Sequence, residues 1–259
     1  MDYLSLNRKA WEERAIAHFD STFYDVNSFL AGKSSLNTIE CELLGSVSEQ
    51  SILHLQCHFG LDSLSLARLG AKVTGVDFSQ EAIRRANTLA QQTKLEATFI
   101  CQDIEKFGST NTDKFNIVFA SYGTICWLHD LSSWATTIAN ALKPGGQFCF
   151  VEFHPSIDLN MGYSYFAKQQ PDVTTEATYT ENQQSDTQTI ATWPHSIGEV
   201  LTALMQAGLT ITHFDEHPFS PYNCFDGLEA VPGHGFQLLH KGQQVPLLFS
   251  VMAKKHANE

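Results

Sequence analysis

The feature that most constrains the fold is a regular alternation of apolar runs and helix-forming segments between residues 51 and 153. The short apolar runs predict strands, at 51–56, 72–76, 97–101, 115–120 and 147–153. Segments with helical spacing lie between them, at 61–69, 81–90 and 131–142. Strands that alternate with helices at this spacing form βαβ units. Because the crossovers are right-handed, we predict a doubly wound α/β fold with helices on both faces of a mostly parallel sheet.

The flanking residues predict the rest of the architecture. We expect an N-terminal helical segment over 1–45, with helices at 7–19 and about 35–44, and one main domain over 46–259. Within that domain, the polar stretch 155–192 is interpreted as an insertion that forms a β-hairpin at 174–180 and 187–192. The remaining predicted elements are a helix at 196–207, strands at 209–214 and 246–254, and a long loop at about 216–245. Loops of that length are usually functional or mobile.

Composition narrows the classes of partner. The chain has 28 acidic and 16 basic residues, a net charge of -12, which argues against binding to nucleic acid or to an anionic membrane surface. No apolar stretch approaches the ~18 residues of a membrane span, and the first 15 residues are polar. The six cysteines are widely scattered, so we expect reduced thiols and a cytoplasmic protein.

The ends of the predicted strands indicate where a ligand binds. In open α/β sheets, ligands lie outside the carboxyl ends of the strands. A turn at 57–60 precedes a predicted helix there, and helix N-termini offer free N–H groups. Asp77 ends the second strand, 17 residues after Gly60, where a carboxylate can accept both hydroxyls of a ribose. The alternative is a plain βαβ unit in which Asp77 only begins a turn.

Three segments carry a family resemblance. ILHLQCHFGLDSLSLARLGAKVTGVDFSQEAI resembles the first two motifs of class I S-adenosylmethionine-dependent methyltransferases. DKFNIVFASYGTICWLHD and ALKPGGQFCFVEFHP resemble the later motifs, so that the resemblance covers about residues 50–155 and the last two strands. It implies a Rossmann-like sheet of seven strands with the last antiparallel, S-adenosylmethionine as cofactor and S-adenosylhomocysteine as product. It also implies that the N-terminal segment, with Trp11, His18 and Tyr24, is a lid, although simple packing is the alternative.

The resemblance assigns cofactor contacts position by position. Asp77 would bind the ribose hydroxyls, Phe78 would pack on the adenine, and Asp103 would accept from the adenine amino group beside Ile104. Ser121 and Tyr122 would lie near the methionine end. The full set of expected cofactor residues is Gln56, Cys57, His58, Gly60, Asp77, Phe78, Ser79, Asp103, Ile104, Ser121 and Tyr122.

One departure from the family pattern concerns the first motif. The usual acidic-x-Gly-x-Gly-x-Gly is here His54-x-Gln56-x-His58-x-Gly60. Glycine permits a left-handed backbone or a close approach. The loop must therefore open, or it must use the side chains of Gln56 and His58 to contact the methionine carboxylate or amine. The spacing of His54, Cys57 and His58 matches no common zinc pattern, so we predict no metal.

Catalytic residues are harder to predict, because methyl transfer depends mainly on the alignment of the two reactants. Alignment alone can lower the barrier by ~7–11 kcal/mol, so no fixed set of catalytic side chains is required. His154, at the end of the fifth strand, is the first candidate for a general base, and a structural histidine is the alternative. Tyr122 is the second catalytic candidate. The candidates for contact with the substrate are Tyr24, His129, His195, Tyr222 and Asn223. His195 could instead serve the entry of a helix, and the aromatic residues could be core.

The predicted function is methyl transfer to a small molecule by a monomer or homodimer. Ala120–Gly123 stands where enzymes that methylate DNA amino groups or glutamine amides often carry Asn/Asp-Pro-Pro-aromatic, which disfavours that group. The alternatives are a tRNA or protein methyltransferase, and a non-catalytic S-adenosylmethionine-binding protein on the same fold. A nicotinamide dehydrogenase is disfavoured because the glycine fingerprint is missing.

Overall fold

The computed structural model describes residues 1–181 and 187–257. The helices are α1 Tyr3–Phe19, α2 Val26–Leu30, α3 Thr38–Leu44, α4 Leu61–Arg68, α5 Gln80–Thr93, α6 Ile104–Thr110, α7 Leu131–Ala141, α8 Ser156–Asn160 and α9 Ile197–Gln206. The strands are β1 Ser51–Leu55, β2 Lys72–Asp77, β3 Ala97–Cys101, β4 Phe115–Ser121, β5 Leu142–Phe153, β6 Asp172–Glu176, β7 Gln188–Thr192, β8 Leu209–His217, β9 Glu229–Val231, β10 Gly235–Gln237, β11 Leu239–His240, β12 Gln243–Gln244 and β13 Leu248–Lys255.

One seven-stranded sheet organises the chain. Its order is β3-β2-β1-β4-β5-β13-β8. The neighbours from β3 to β5 pair in parallel, and β13 pairs antiparallel with both β5 and β8. This confirms the predicted fold, including the antiparallel last strand. The strand order reverses between β1 and β4, which is the point where open α/β sheets bind ligands.

Both faces of the sheet are covered, which explains the nearly continuous apolar runs of the central strands. Leu53 and Leu55 of β1 point into a core shared with α6, α7 and α9, in which Trp134 is fully buried. Ile52 points to the opposite face and packs with Leu66 of α4. Alternate residues of one strand therefore serve two cores, as the pleat requires.

The structure departs from the predicted elements in detail. The short helix α6 follows β3 directly, and its first residue is capped by Asp103, which accepts from Lys106 N at 2.9 Å. The hairpin of the insertion is present as β6 and β7, but its first strand is Asp172–Glu176 rather than 174–180. The long loop over 216–245 contains two small antiparallel ribbons, β9–β10 and β11–β12. None of the helices in the described ranges is long and apolar enough to span a bilayer.

Candidate active site

A cavity of about 810 Å³ lies at the carboxyl ends of the parallel strands. The predicted residues that line it are Tyr24, Gln56, Cys57, His58, Gly60, Asp77, Phe78, Asp103, Ile104, Ser121, Tyr122 and Tyr222. Its size is in the range of ordinary small-molecule sites, ~300–1,000 Å³. Residues far apart in the chain, such as Tyr24 and Tyr222, therefore line one cavity.

The loop after β1 keeps a left-handed backbone without its usual glycines. Gln56 and His58 have φ angles of 52° and 51°. A left-handed backbone conformation is about 1–2 kcal/mol less favourable for a residue that has a Cβ atom. The surrounding contacts must therefore stabilise this conformation at both residues. Gln56 Nε2 donates to Thr124 O at 2.7 Å. The two side chains contact the protein itself, Gln56 at Thr124 and His58 at His18, and their contact with the methionine part of the cofactor stays a prediction.

Asp77 joins that loop to the end of β2. The side chain is 9% exposed, and its two oxygens accept from His58 N and Ser79 N, each at 2.9 Å. Burial raises the pKa of this carboxyl to about 6. Two hydrogen bonds leave further lone pairs of the carboxylate available, so Asp77 can still accept hydroxyl donors from a ligand in the cavity.

Ser79 differs from the other predicted cofactor residues, because it does not line the cavity. It caps α5 by accepting from Ala82 N, and its hydroxyl donates to Glu12 of α1 at 3.1 Å. The Glu12 carboxylate also accepts from Gln80 N and Glu81 N, both at 2.7 Å. A carboxylate at a helix N-terminus is favourable, so Glu12 fixes α1 beside the cavity.

The Glu12 contact leads to a stability prediction. Glu12→Gln removes the charge at the N-terminus of α5, which we expect to lower the free energy of unfolding by about 1 kcal/mol. The midpoint of thermal unfolding should fall by about 2–4 °C. Differential scanning calorimetry measures it, and Glu13→Gln, at the exposed neighbouring position, is the matched control. Equal midpoints for the two variants would contradict the role of Glu12.

Tyr122 and a buried carboxylate form a pair on the opposite side of the cavity. Tyr122 also has a left-handed φ of 49°. Its hydroxyl donates to Glu40 Oε2 at 2.7 Å, and Glu40 is 0% exposed. Asn37 N donates to the other Glu40 oxygen at 2.6 Å. Burial, together with the nearby charge of Asp62, raises the pKa of Glu40, which makes this carboxylate a better proton acceptor than an exposed one.

Asp62 adds a second carboxylate to the same region. It accepts from Ser35 Oγ at 2.6 Å and from Ser121 Oγ at 3.2 Å. Burial raises the pKa of Asp62. Close by, Tyr222 accepts from Asn37 Nδ2 at 2.9 Å. This end of the cavity is therefore aromatic and acidic.

Several predicted residues lie elsewhere. His154 is 6% exposed and does not line the cavity; its Nε2 pairs with Glu216 Oε1 at 2.8 Å, and its Nδ1 accepts from Ser156 N at 3.0 Å. Both ring nitrogens are engaged at the β5–β13–β8 side of the sheet. The geometry therefore supports a structural role for His154 and gives no support to its role as general base.

Three of the predicted substrate contacts also lie outside the cavity wall. His195 Nε2 donates to Leu128 O at 2.8 Å, and its Nδ1 lies 3.1 Å from Glu199 Oε2 in the first turn of α9. This is the helix-entry role that was the alternative for His195. His129 packs edge-on against Trp193, and Asn223 is adjacent to the lining residue Tyr222 without itself lining the cavity.

The N-terminal helix and the β6–β7 hairpin pack together beside the cavity. Asn7 makes two hydrogen bonds with the backbone of Ala191, at 2.7 and 2.8 Å. His18 bridges His58, at 3.0 Å, and Thr178, at 2.5 Å. Burial lowers the pKa of His18 to about 2 and that of His58 to about 3, so both imidazoles are neutral and each needs a partner with the complementary hydrogen-bonding role.

Sequence reasoning missed several charged residues of this site, among them Arg14, Glu40 and Asp62. Arg14 and Asp62 line the cavity, and Glu40 lies behind Tyr122. Arg14 and Glu40 come from the N-terminal helices, whose path over the sheet has no signature in the sequence. Asp62 follows Gly60 closely enough that the loop motif itself could have indicated it.

The residues present fit a polar nucleoside ligand such as S-adenosylmethionine. Five buried atoms of lining residues have no hydrogen-bond partner among the described residues: Trp11 Nε1, Arg14 Nε, Gln56 Oε1, His58 Nδ1 and Trp193 Nε1. Buried polar atoms normally find partners, so their concentration in one cavity indicates that a ligand supplies them. Asp77, Phe78, Asp103 and Ile104 line the same cavity at the ends of β2 and β3, where the ribose and adenine would bind.

Comparisons with known proteins agree with this fit. Residues 52–146 match the family described as the methyltransferase domain. A ubiquinone biosynthesis O-methyltransferase of Pseudoalteromonas translucida is 29% identical over 106 residues, which are 41% of this chain and 44% of that protein. The chain thus spans about half the length of the curated relatives it matches.

Solved structures extend the likeness over nearly the whole chain. An S-adenosylmethionine-dependent methyltransferase from Mesorhizobium loti is 22% identical, with a TM-score of 0.59 over 87% of this chain and 100% of that one. A magnesium protoporphyrin IX methyltransferase from Synechocystis, with bound S-adenosylhomocysteine, is 15% identical, with a TM-score of 0.52 over 95% of this chain and 99% of that one. The chain therefore has the class I methyltransferase fold, and its residues 52–146 match the methyltransferase domain family.

Proposed function

We propose that this chain transfers the methyl group of S-adenosylmethionine to a small-molecule acceptor. One observation carries the proposal: a single cavity joins Asp77 and Asp103 at one end to Tyr24, Tyr122 and Tyr222 at the other. The first end suits a nucleoside, and the second leaves room for an acceptor beside it. The name of one relative, a ubiquinone biosynthesis O-methyltransferase, is consistent with a small acceptor.

The covering of the cavity favours a small acceptor over RNA or protein. Helix α1 and the β6–β7 hairpin are joined by Asn7–Ala191 and His18–Thr178, and both elements contribute lining residues. We propose that together they form the lid. A lid excludes water and fixes the acceptor, whereas a macromolecular substrate needs an open groove.

In the proposed reaction the protein has two tasks, to align the cofactor with the acceptor and to remove a proton from the acceptor. When bound, S-adenosylmethionine supplies an activated methyl group, because its carbon–sulfur bond breaks with the electron pair left on a neutral thioether. Tyr122 and Glu40 would remove the proton from the attacking atom of the acceptor. Tyr122 takes that proton on its hydroxyl oxygen as it passes its own proton to Glu40 along the existing 2.7 Å hydrogen bond. Glu40 thus acts through Tyr122, which is the catalytic residue in contact with the cavity.

A labelling experiment tests the proposal. The purified protein is incubated with methyl-labelled S-adenosylmethionine and, separately, with the low-molecular-weight, tRNA and protein fractions of a cell extract. We expect labelled product and S-adenosylhomocysteine only with the low-molecular-weight fraction. Heat-denatured protein is the control. Label found only in tRNA or protein would contradict the small acceptor, and binding of the cofactor without transfer in any fraction would favour the non-catalytic alternative.

A further inference from the structure

Glu40 and Asp62, which we call the carboxylate pair, have only neutral partners at the aromatic end of the cavity. Glu40 accepts from the Tyr122 hydroxyl at 2.7 Å and otherwise from amide groups. Asp62 pairs with the hydroxyls of Ser35, at 2.6 Å, and Ser121, at 3.2 Å. Hydroxyl and amide donors stabilise a carboxylate but leave its charge in place. Burial and the charge of Asp62 raise the pKa of Glu40, as expected for two carboxylates that repel each other.

The cations of the cavity wall are paired with other acids. Of the described residues, Arg14 and Lys33 are the lysine and arginine side chains that line the cavity. Arg14 pairs with Glu176 at 3.4 Å, and Lys33 pairs with Asp25 at 3.6 Å. In the described part of the chain, no side-chain nitrogen of lysine, arginine or histidine lies within 4.0 Å of the carboxylate pair. Buried charge without a counter-charge is unfavourable, so the carboxylate pair indicates a cation that a ligand supplies.

The wall beside the carboxylate pair is aromatic. The ring centres of Tyr122 and Tyr222 lie 5.0 Å apart, edge to face, and those of Tyr222 and Phe23 lie 5.5 Å apart in a stacked arrangement. The ring of Phe23 also lies 5.1 Å from that of Tyr24. All four side chains line the cavity, and we call them the aromatic wall. Aromatic rings attract organic cations such as alkylammonium groups, whereas an anionic acceptor would be repelled by the carboxylate pair.

We propose that the methyl acceptor is a primary or secondary amine, which binds as an ammonium ion against the carboxylate pair and the aromatic wall. The inference rests on the proposed function and names the substrate class that this function leaves open. The ammonium ion loses one proton to the Tyr122 oxygen as Tyr122 passes its own proton to Glu40. The nitrogen lone pair then bonds to the methyl carbon, and the carbon–sulfur bond breaks with its electron pair left on sulfur. The products are the N-methylated ammonium ion and S-adenosylhomocysteine.

A binding experiment tests the cation site with simple probes. Benzylamine, a cation at neutral pH, and benzyl alcohol, a neutral molecule of similar shape, are titrated by calorimetry into protein saturated with S-adenosylhomocysteine. The wild type should bind benzylamine about tenfold or more tighter than benzyl alcohol, and Asp62→Asn should remove most of this preference. Asp113→Asn, at an exposed position, is the matched control and should keep it. Equal affinity of the wild type for the two probes, or a preference that Asp62→Asn leaves undiminished, overturns the inference.

Variants of Tyr222 test the aromatic wall. Tyr222→Phe keeps the ring and loses only the hydroxyl that accepts from Asn37 Nδ2, so it should keep the wild-type preference for benzylamine. Tyr222→Leu should lower that preference by about two- to 30-fold, because the cation loses one ring. If Tyr222→Leu weakens both probes equally, Tyr222 only shapes the cavity, and the part of the inference that concerns the aromatic wall is overturned.

The cofactor is the other source of a cation, because S-adenosylmethionine carries a sulfonium and an amino group. S-adenosylhomocysteine shares the amino group and lacks the sulfonium charge. If the acceptor supplies the cation, Asp62→Asn should bind both molecules as tightly as the wild type does. Loss of S-adenosylmethionine binding alone would assign the carboxylate pair to the sulfonium, and loss of both would assign it to the cofactor's amino group. Either result overturns the inference.

The labelling experiment tests the substrate class with the wild-type protein alone. Half of the low-molecular-weight fraction is treated with an amine-selective acetylating reagent, which is quenched before incubation, and the other half is mock-treated. We expect the mock-treated half to yield labelled product that a cation exchanger retains at neutral pH, and the acetylated half to yield none. Equal labelling of the two halves overturns the inference and leaves the proposed function in place. Label in no fraction removes the proposed function, whereas a benzylamine preference that depends on Asp62 would leave the cation site in place.

Discussion

Replacing Asp77 by alanine is expected to weaken the binding of S-adenosylhomocysteine about ten- to 150-fold, the equivalent of ~1.5–3 kcal/mol. Two losses combine in this variant. The ligand loses a charged acceptor for its ribose hydroxyls, and the loop after β1 loses the carboxylate oxygen that accepts from His58 N at 2.9 Å. Isothermal titration calorimetry measures the effect. Asp113→Ala, at an exposed position, is the control and should bind as the wild type does.

The pH dependence of binding provides an independent check that needs no variant. The pKa of Asp77 is raised to about 6 by burial, and hydroxyl donors bind the ionised carboxylate better than the neutral acid. Affinity should therefore be constant above pH 7 and should fall as the pH drops through about 6. An Asp77→Asn protein should lack this fall. Equal affinity of wild type and Asp77→Ala, with no fall near pH 6, would place the ribose elsewhere.

The second large effect concerns Tyr122 and Glu40. With an acceptor identified by the labelling experiment, Tyr122→Phe and Glu40→Gln should each lower kcat by about 10²–10⁴-fold, the usual contribution of general base catalysis. Affinity for S-adenosylhomocysteine should change much less. Since the pKa of Glu40 is raised and the base must be ionised, wild-type kcat should fall as the pH drops through that raised value, and Glu40→Gln should lose this dependence.

Steady-state kinetics over pH measures this effect, and Glu42→Gln on the same helix is the matched control. Glu42 is exposed, so its variant should keep the wild-type profile. Loss of kcat in Tyr122→Phe alone, with an unchanged profile in Glu40→Gln, would restrict the role to Tyr122. Equal losses of affinity and turnover in both variants would indicate that the pair only shapes the cavity.

The sheet could be predicted from the sequence because each of its strands has a local hydrophobic pattern. Each central strand is buried on both faces, so its apolar run is nearly continuous, and turns at Gly70 and Gly145 punctuate the pattern. The position of Asp77 at a strand end follows from the same pattern. The cofactor end of the site depends only on such local features, which is why most of its predicted residues line the cavity.

The acceptor end could not be predicted in the same way, because it is assembled from distant parts of the chain. Glu40 meets Tyr122 across 82 positions, and Arg14 meets Glu176 across 162. No local sequence pattern predicts a contact between residues so far apart in the chain. His154 illustrates a limit of local patterns: it follows a strand end, as a ligand-binding residue does, but β8 supplies Glu216, whose carboxylate pairs with the imidazole outside the cavity wall.

The contacts that join α1 to the hairpin also bear on how the molecule acquires its structure. Asn7 and Ala191 are 184 positions apart, and His18 and Thr178 are 160 apart. Contacts of such high sequence separation form slowly, because a long segment of chain must first lose conformational entropy when its two ends come together. On the ribosome, α1 and the strands β1 to β5 emerge before the hairpin, so α1 can pack on α5 through Glu12 early but gains its hairpin partners only after β7 has been synthesised. The side of α1 that carries Asn7 and His18 is therefore left without the hairpin throughout that interval.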